Sequence, residues 1–166
     1  MARLVAVAAL AAIVALLPGR IGGSGPGQTG PGYDDRTSAV SLLASYYDAV
    51  NRQDYQRAYG YWRTPPGSFE AFAQGYADTA GVQVIVEPPT SVDVGAGNLF
   101  VSIATVLVAT QRDGSRQVYA GCYVMHRSNL RPPDVPEEPV WAIARANIAP
   151  VALDAAIPAL LQQGCP

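Results

Sequence analysis

Apolar positions recur along this chain with two different periods, helical in the first half and alternating in the second. Between Ser38 and Asn51, Val40, Leu43, Tyr47 and Val50 stand three and four residues apart. That spacing predicts one amphipathic helix with an inner stripe, while Ser41, Asp48 and Arg52 fall elsewhere. Thr37 or Ser38 can cap its start. Asn51-Arg52-Gln53-Asp54 interrupts the period, and Asp54 is a good N-cap for a second helix. There Tyr55, Ala58, Tyr59 and Trp62 sit at i, i+3, i+4 and i+7, again one face of a helix. Thr64-Pro65-Pro66 should stop it, because proline lacks a donor and disfavours helix in the residue before it. A third short helix is expected over residues 68–78, capped by Ser68, with Phe69, Phe72, Ala73 and Tyr76 inward.

After Gly81 the period becomes two. Val82, Val84 and Val86 alternate with Gln83, Ile85 and Glu87, and Pro88-Pro89 stops the strand. Residues 98–111 form a long strand, apolar on both faces and therefore central. Asp113-Gly114 reads as a two-residue hairpin turn, with a return strand over residues 115–126. In that register Val108 faces Tyr119, Val106 faces Gly121 and Ala104 faces Tyr123, with Ser102 and Met125 on the same surface. Ile103, Thr105 and Leu107 then share the other surface with Ala120, Cys122 and Val124. Residues 129–139 are a proline-rich loop. A last strand over residues 140–148 should end at Pro150, followed by an apolar tail with a short helix that Asp154 can cap, leaving Pro158 in its opening turn.

The start of the chain is of another kind. Arg3 precedes an unbroken apolar run from Leu4 to Leu17, Pro18-Gly19 breaks it, and a stretch rich in Gly, Ser and Pro continues to Gly32. This is the layout of a secretory signal, and the run is short of the roughly 20 residues a membrane span needs. Residues 1–20 are therefore expected to be a signal sequence or an uncleaved N-terminal anchor, 21–32 a Gly-rich linker, and 33–166 one folded domain. Composition agrees with a packed domain: 49% of residues are hydrophobic and 14% charged, with a formal net charge of −2. A mildly acidic chain without a basic patch gives nucleic acid no purchase, and membrane contact is expected only through an uncleaved N-terminal segment. In an exported chain, the two cysteines, Cys122 and Cys165, are expected to form a disulfide pinning the C-terminal segment onto the sheet. Neither stands in a Cys-x-x-Cys pair, and two cysteines without a histidine-rich partner cannot make a structural zinc site.

Helix, the run Tyr46-Tyr47…Asn51…Asp54-Tyr55, helix with Ala58, Tyr59 and Trp62, short third helix, then antiparallel sheet: this order resembles the nuclear-transport-factor-2-like, or SnoaL-like, superfamily over residues 38–150. Gly121-Cys122-Tyr123 and the Cys165-Pro166 ending look like its small exported bacterial members. The resemblance implies an α+β cone, a curved antiparallel sheet wrapped around the N-terminal helices, with an apolar pocket between them. Some members are isomerases, dehydratases or cyclases and others are binding or assembly modules, so the fold alone does not give the function. In ketosteroid-isomerase-like members a pocket tyrosine and two acids do the chemistry, and no such set can be matched here.

Candidate chemistry is sparse. His126, the single histidine, could serve as a general base but comes without a placed acid, and a surface or loop contact suffices for it. Arg145 could hold a ligand carboxylate or point outward from a sheet edge. Tyr47, Tyr59, Trp62, Tyr119 and Tyr123 are the candidates to line a pocket, though helical spacing fits core filling equally well. No nucleophile elbow, phosphate loop, dinucleotide fingerprint or metal-spaced pair is visible, so no catalytic residue, metal ligand or cofactor is assigned. The expectation is a secreted or cell-envelope, non-catalytic module that binds a small apolar ligand or a protein partner, with homodimerisation a further option. A small lyase or isomerase acting on an apolar substrate is the alternative.

Overall fold

The computed structural model describes residues 32–89, 91–130 and 140–165. Its elements run α1 (Ala39–Asn51), α2 (Tyr55–Tyr59), α3 (Phe69–Gln74), β1 (Thr79–Val86), β2 (Asp93–Gly95), β3 (Asn98–Gln111), β4 (Arg116–Ser128), β5 (Ala142–Val151) and α4 (Ile157–Gln162). The strands form one antiparallel sheet in the order β1-β3-β4-β5, with β2 also paired to β3. The architecture is α+β: a curved, unclosed sheet with the N-terminal helices against its concave face. The expected signal sequence or anchor (1–20), the linker as far as residue 31 and the proline-rich loop at 131–139 lie outside the described residues.

α1 begins where Ser38 accepts a hydrogen bond from the Ser41 amide at 3.0 Å. Its buried arc is wider than the expected stripe. Leu42, Leu43, Tyr46, Tyr47, Ala49 and Val50 are buried and Val40 is half-buried. The break that follows is a joint between helix and sheet. The Asn51 side chain pairs with both backbone groups of Val82, donating to its carbonyl at 2.9 Å and accepting from its amide at 2.7 Å. Gln53 takes a positive φ of 61°, and Asp54 caps α2 by accepting from the Arg57 amide at 3.2 Å. Asn and Asp side chains suit such a reversal because they satisfy backbone groups locally.

α2 is shorter than its sequence pattern predicts. It ends at Tyr59 with Gly60 as the C-cap, before the prolines are reached. The chain leaves the helix because β5 offers its backbone partners. Ile143 donates to the Tyr61 carbonyl at 2.8 Å, Arg63 donates to the Ile143 carbonyl at 2.8 Å, and Trp62 forms an isolated parallel bridge with Ile143. α3, capped by Ser68, likewise stops early, at Gln74. β1 starts at Thr79, ahead of Gly81, and β2 occupies what reads as loop.

β3 has the expected bounds, but its hairpin with β4 is one residue out of the predicted register. The loop holds three residues, Arg112, Asp113 and Gly114, closed by hydrogen bonds from the Gln111 amide to the Ser115 carbonyl and from the Gly114 amide to the Gln111 carbonyl. Gly114 takes φ 84°, the left-handed residue that completes a three-residue loop. Ile103 therefore faces Tyr123, Thr105 faces Gly121 and Leu107 faces Tyr119. Because side chains alternate, a slip of one exchanges the two faces of β3. Val101, Ile103, Leu107 and Ala109 join Tyr123 and Met125 in the main core. Val106 and Val108 go to the outer face with Val118 and Ala120.

At Gly121 the β5 backbone passes against β4 with no room for a side chain. A Cβ there would lie 2.0 Å from the Asn147 carbonyl oxygen, and its φ of 155° disfavours a side chain as well. Pro150, expected to end the last strand, lies within β5 opposite Tyr119. β5 is the edge of the sheet, where a missing donor is tolerated. α4 crosses the outer face, setting Ile157, Leu160 and Leu161 against Val106, Val108 and Val118. Asp154 does not cap it. The N-cap is Ala156, with no side-chain hydrogen bond, and Pro158 lies in the first turn as expected. Cys122 and Cys165 are disulfide-bonded with their Cα atoms 5.4 Å apart, within the usual range for such a bond. The bond ties the end of the chain to the outer face of β4.

Candidate functional site

Between α1, α3 and the concave face of the sheet lies a cavity of about 430 Å³, within the range of small-molecule sites. α1 contributes Tyr46 and Tyr47, α3 and its following turn contribute Phe72, Gly75 and Tyr76, and Trp62 stands on the connection between α2 and α3. The sheet contributes Val82, Leu107, Ala109, Tyr119, Tyr123 and Ile148. Thr79 and Gln111 are the polar, half-buried residues of the lining. No carboxylate, imidazole or basic side chain stands among the lining residues.

Consecutive helix positions point about 100° apart, so Tyr46 and Tyr47 reach different elements. The Tyr46 hydroxyl bonds the Tyr76 hydroxyl at 2.7 Å, tying α1 to the α3 side, while the Tyr47 hydroxyl bonds the Tyr123 hydroxyl at 2.7 Å, tying α1 to β4. The rings meet edge to face. Tyr46 and Tyr47 have centroids 4.9 Å apart at 78°, and Tyr47 and Tyr123 have centroids 6.3 Å apart at 88°. Such contacts set the positive ring edge against the negative face. Tyr55 stacks on Tyr76 and donates to its carbonyl at 3.4 Å.

Burial pushes the phenols of Tyr46, Tyr47, Tyr76 and Tyr123 upward, and the charge repulsion of neighbouring phenols adds to it. All four are therefore neutral hydroxyls at physiological pH, able to donate and accept but unsuited to act as bases. The Trp62 indole nitrogen is sealed from solvent and has no hydrogen-bond partner among the described residues.

Of the five residues expected to line a pocket, Tyr47, Trp62, Tyr119 and Tyr123 meet around this cavity. Tyr59 does not. It packs against Phe69 and Phe72, and its hydroxyl donates to the Gly67 carbonyl at 2.9 Å, outside the cavity wall. Tyr119 contacts the Gln117 side chain with its hydroxyl. Sequence reading missed Tyr46, Phe72 and Tyr76 as cavity residues. Leu42, Tyr46 and Ala49 repeat the spacing of Leu43, Tyr47 and Val50 one residue earlier, and this second stripe was the available signal for Tyr46.

The other candidates lie elsewhere. His126 faces Phe100, not the cavity. It is 8% exposed rather than superficial, and its Nε2 is 2.7 Å from Asn98 Oδ1. Burial, and secondarily the Arg63 charge, lower its pKa. Arg145 is exposed and opposite Val124, a position on the outer face. Among the described residues no group of three or more His, Cys, Asp or Glu could hold a metal ion.

Charge concentrates instead on the far side of α1. Asp48 accepts from Arg52 at 3.0 Å and from Arg57 at 2.8 Å, and Arg57 also pairs with Asp54 at 2.9 Å and donates to the Tyr33 carbonyl at 2.8 Å. Burial opposes ionisation of Asp48, but the hydrogen bonds from Arg57 and Arg52 outweigh it and hold its carboxyl below the usual range. The Tyr61 hydroxyl donates to Asp34 at 2.7 Å, with Arg36 over its ring at 4.2 Å. These contacts anchor residues 33–36 to the helices and leave no open site.

No protein-family model matches the chain, and no curated protein matches it in sequence. Among solved structures it is similar to a conserved protein from Planctomyces limnophilus DSM 3776, at 16% identity and a TM-score of 0.48, over 68% of this chain and 94% of that one. It is similar also to a candidate scytalone dehydratase from Novosphingobium aromaticivorans DSM 12444, at 8% identity and a TM-score of 0.48, over 70% of this chain and 84% of that one. A third is a nuclear transport factor 2 (NTF2-like) superfamily protein from Salmonella enterica serovar Typhimurium LT2, at 13% identity and a TM-score of 0.46, over 70% of this chain and 90% of that one. Likeness at this level says nothing of ligand or reaction, and the cone architecture stands on this chain's own helices and strands.

Proposed function

We propose that this chain is an exported binding module that holds a small apolar ligand between its helices and its sheet. The observation that carries the reading is the ring-lined cavity of about 430 Å³, whose lining has no carboxylate, histidine or basic side chain. Proton transfer of the lyase or isomerase type needs a positioned acid or base of suitable pKa. The neutral phenols around this space are shifted away from that role. A ligand here is desolvated by aromatic surface and oriented by a few hydroxyls, which is the usual division of labour in a binding pocket.

Export is part of the proposal. A disulfide persists in oxidising compartments, and the Cys122–Cys165 bond fits an extracytoplasmic location. Among the described residues no helix is long and apolar enough to cross a membrane. The signal-like pattern of residues 4–17 supplies the route.

The test is titration of the purified protein with N-phenyl-1-naphthylamine, a neutral fluorophore that brightens when desolvated. Saturable binding at one site is expected. Ala71 lines the cavity and is solvent-exposed, so Ala71→Trp should fill the mouth, leave the fold intact and weaken binding at least about tenfold. Absence of saturable binding, or indifference to Ala71→Trp, sinks the reading and leaves a protein-partner role as the surviving form of the module.

A further inference from the structure

Across the sheet from the cavity, the outer face needs cover and holds that cover weakly. Val106, Val108 and Val118 are buried there, and bare they would put an apolar stripe into water. Their cover is α4, which sets Ile157, Leu160 and Leu161 against them but has no buried residue of its own. Those three stand at i, i+3 and i+4, one side of a helix. α4 has six residues and no side-chain cap, too short to keep its shape away from the sheet. The segment leading into it is lightly held. Ala152, Leu153, Asp154 and Ala156 are exposed, and the Ala155 amide donates to the Ala152 carbonyl at 3.1 Å. Opened out, the five residues 152–156 span about 17 Å. The arm of another copy would satisfy the face equally well, and the Cys122–Cys165 bond is what fixes the arm to its own chain.

We infer that the outer face of the sheet is a docking surface for the C-terminal arm, residues 152–165, of a second copy of this chain, and that the two copies exchange arms with Cys122 of each bonded to Cys165 of the other. Each copy gives an arm and receives one, so the dimer closes and neither face is left bare. The contacts of α4 with Val106, Val108 and Val118 recur unchanged across the two chains. What differs is how the arm arrives. A short tether keeps a chain's own arm at an effective concentration in the millimolar range. A dilute chain therefore closes on itself, whereas chains crowded to that range with the bond open exchange. Formation of the bond then locks whichever form is present. With glutathione disulfide as oxidant, one cysteine thiolate attacks it and releases one glutathione. The other cysteine thiolate then displaces the second glutathione. Two protein thiols are oxidised, and one glutathione disulfide is reduced to two glutathiones.

The test mixes two variants, Cys122→Ser and Cys165→Ser, in equal amounts in a glutathione redox buffer. The native pair can then bond only between copies, from Cys165 of the first to Cys122 of the second. Random thiol pairing gives this heterodimer the same share as the two homodimers together. Arm docking is expected to raise it at least about tenfold over them, read by mass spectrometry of the non-reduced protein. Leu160→Asp added to the Cys122→Ser variant keeps the thiol but spoils the packing of the arm, and should return the heterodimer to the random share. Wild type needs no substitution. Nitrogen-14 and nitrogen-15 chains, reduced, mixed and reoxidised at about 1 mM, should yield Cys122–Cys165 peptides that join light to heavy chains, and at about 1 μM should not. A heterodimer at the random share, or one indifferent to Leu160→Asp, overturns the inference. So does wild type that reoxidises within single chains at both concentrations. An excess of Cys122–Cys122 homodimer would show bare faces meeting each other and overturns it as well. Binding of the fluorophore in the cavity is read separately, so the two proposals stand or fall independently.

Discussion

The two faces of the sheet are built by opposite means, although β4 serves both with alternate residues. Its inward positions Tyr119, Tyr123 and Met125 join the core shared with the three N-terminal helices, whereas its outward positions Val118 and Ala120 pack with a single six-residue helix and Cys122 is bonded to Cys165. The inner core contains Leu42, Tyr46, Tyr61, Ile103, Met125 and Ile143, all at 1% exposure or less. The outer cluster has three buried residues, and α4 itself has none. A six-residue helix without a side-chain cap is not stable on its own, so the outer cover depends on a covalent tie where the inner one depends on packing. Rings packed edge to face also leave irregular gaps, and the cavity opens on that side.

The contrast breaks most completely at Gly121, where both faces depend on one backbone approach. Gly121→Ala places a methyl group into the Asn147 carbonyl and forces an unfavourable φ. It should cost about 3 kcal/mol or more in urea unfolding, with β4 and β5 losing protection together. A change below about 1 kcal/mol would mean that β5 can shift freely and that the sheet does not constrain the cavity.

Cutting the tie should separate the faces. Cys122→Ser/Cys165→Ser is expected to lose about 2–4 kcal/mol, the usual range for such a bond. Amides of Ile157–Gln162 should exchange rapidly while those of Leu42–Val50 keep their protection. Loss of protection in α1 as well would show that outer cover and inner core form one cooperative unit.

A smaller effect sharpens the inner side. Asp48→Asn leaves Arg52 and Arg57 without a carboxylate they share and should cost about 1–2 kcal/mol. Since Asp48 ionises more easily when folded, the stability it contributes is present above its ordinary pKa of about 3.8 and is lost as pH falls through the lowered value. The asparagine variant should therefore flatten part of the acid limb of the stability curve.

The smallest effect belongs to His126. Its folded pKa lies below the ordinary 6.5, so folding favours the neutral ring. That contribution is complete above about pH 6.5 and declines as pH falls toward the folded value. Thermal melts between pH 7 and pH 5 should show this slope, and His126→Gln should remove it. An unchanged slope would place the titrating group elsewhere.

Much of the helical half was legible in the sequence because caps and breaks are local. Ser38, Asp54 and Ser68 stand at the helix starts they predict, since a side chain that caps a helix acts within three residues of itself. The bounds of β3 were legible because a stretch largely apolar on both faces stands between Gly97 and the Asp113-Gly114 turn. Its register was not, because Asp-Gly suits both two- and three-residue hairpin loops, and only pairing along the whole strand selects between them. The end of α2 was hidden for a similar reason, since the partners that draw Tyr61 and Arg63 out of the helix belong to Ile143, far along the chain.

The candidate site divides in the same way. Four of its rings could be named from periodicity, while the pairing of Tyr46 with Tyr76 and of Tyr47 with Tyr123 required the folded chain. The sequence by itself determined the α+β order, the starts of the first three helices, the polar break after Asn51 and two cysteines suited to one bond, all set by interactions between near neighbours or by composition. Tertiary structure alone decided which face of β3 meets the helices, which hydroxyls bond, and that Tyr59 turns away from the cavity. Those choices depend on contacts between different elements, from Tyr59 with Gly67 to Tyr46 with Tyr76 and Tyr47 with Tyr123, and side-chain periodicity says which residues share a face but not which faces meet.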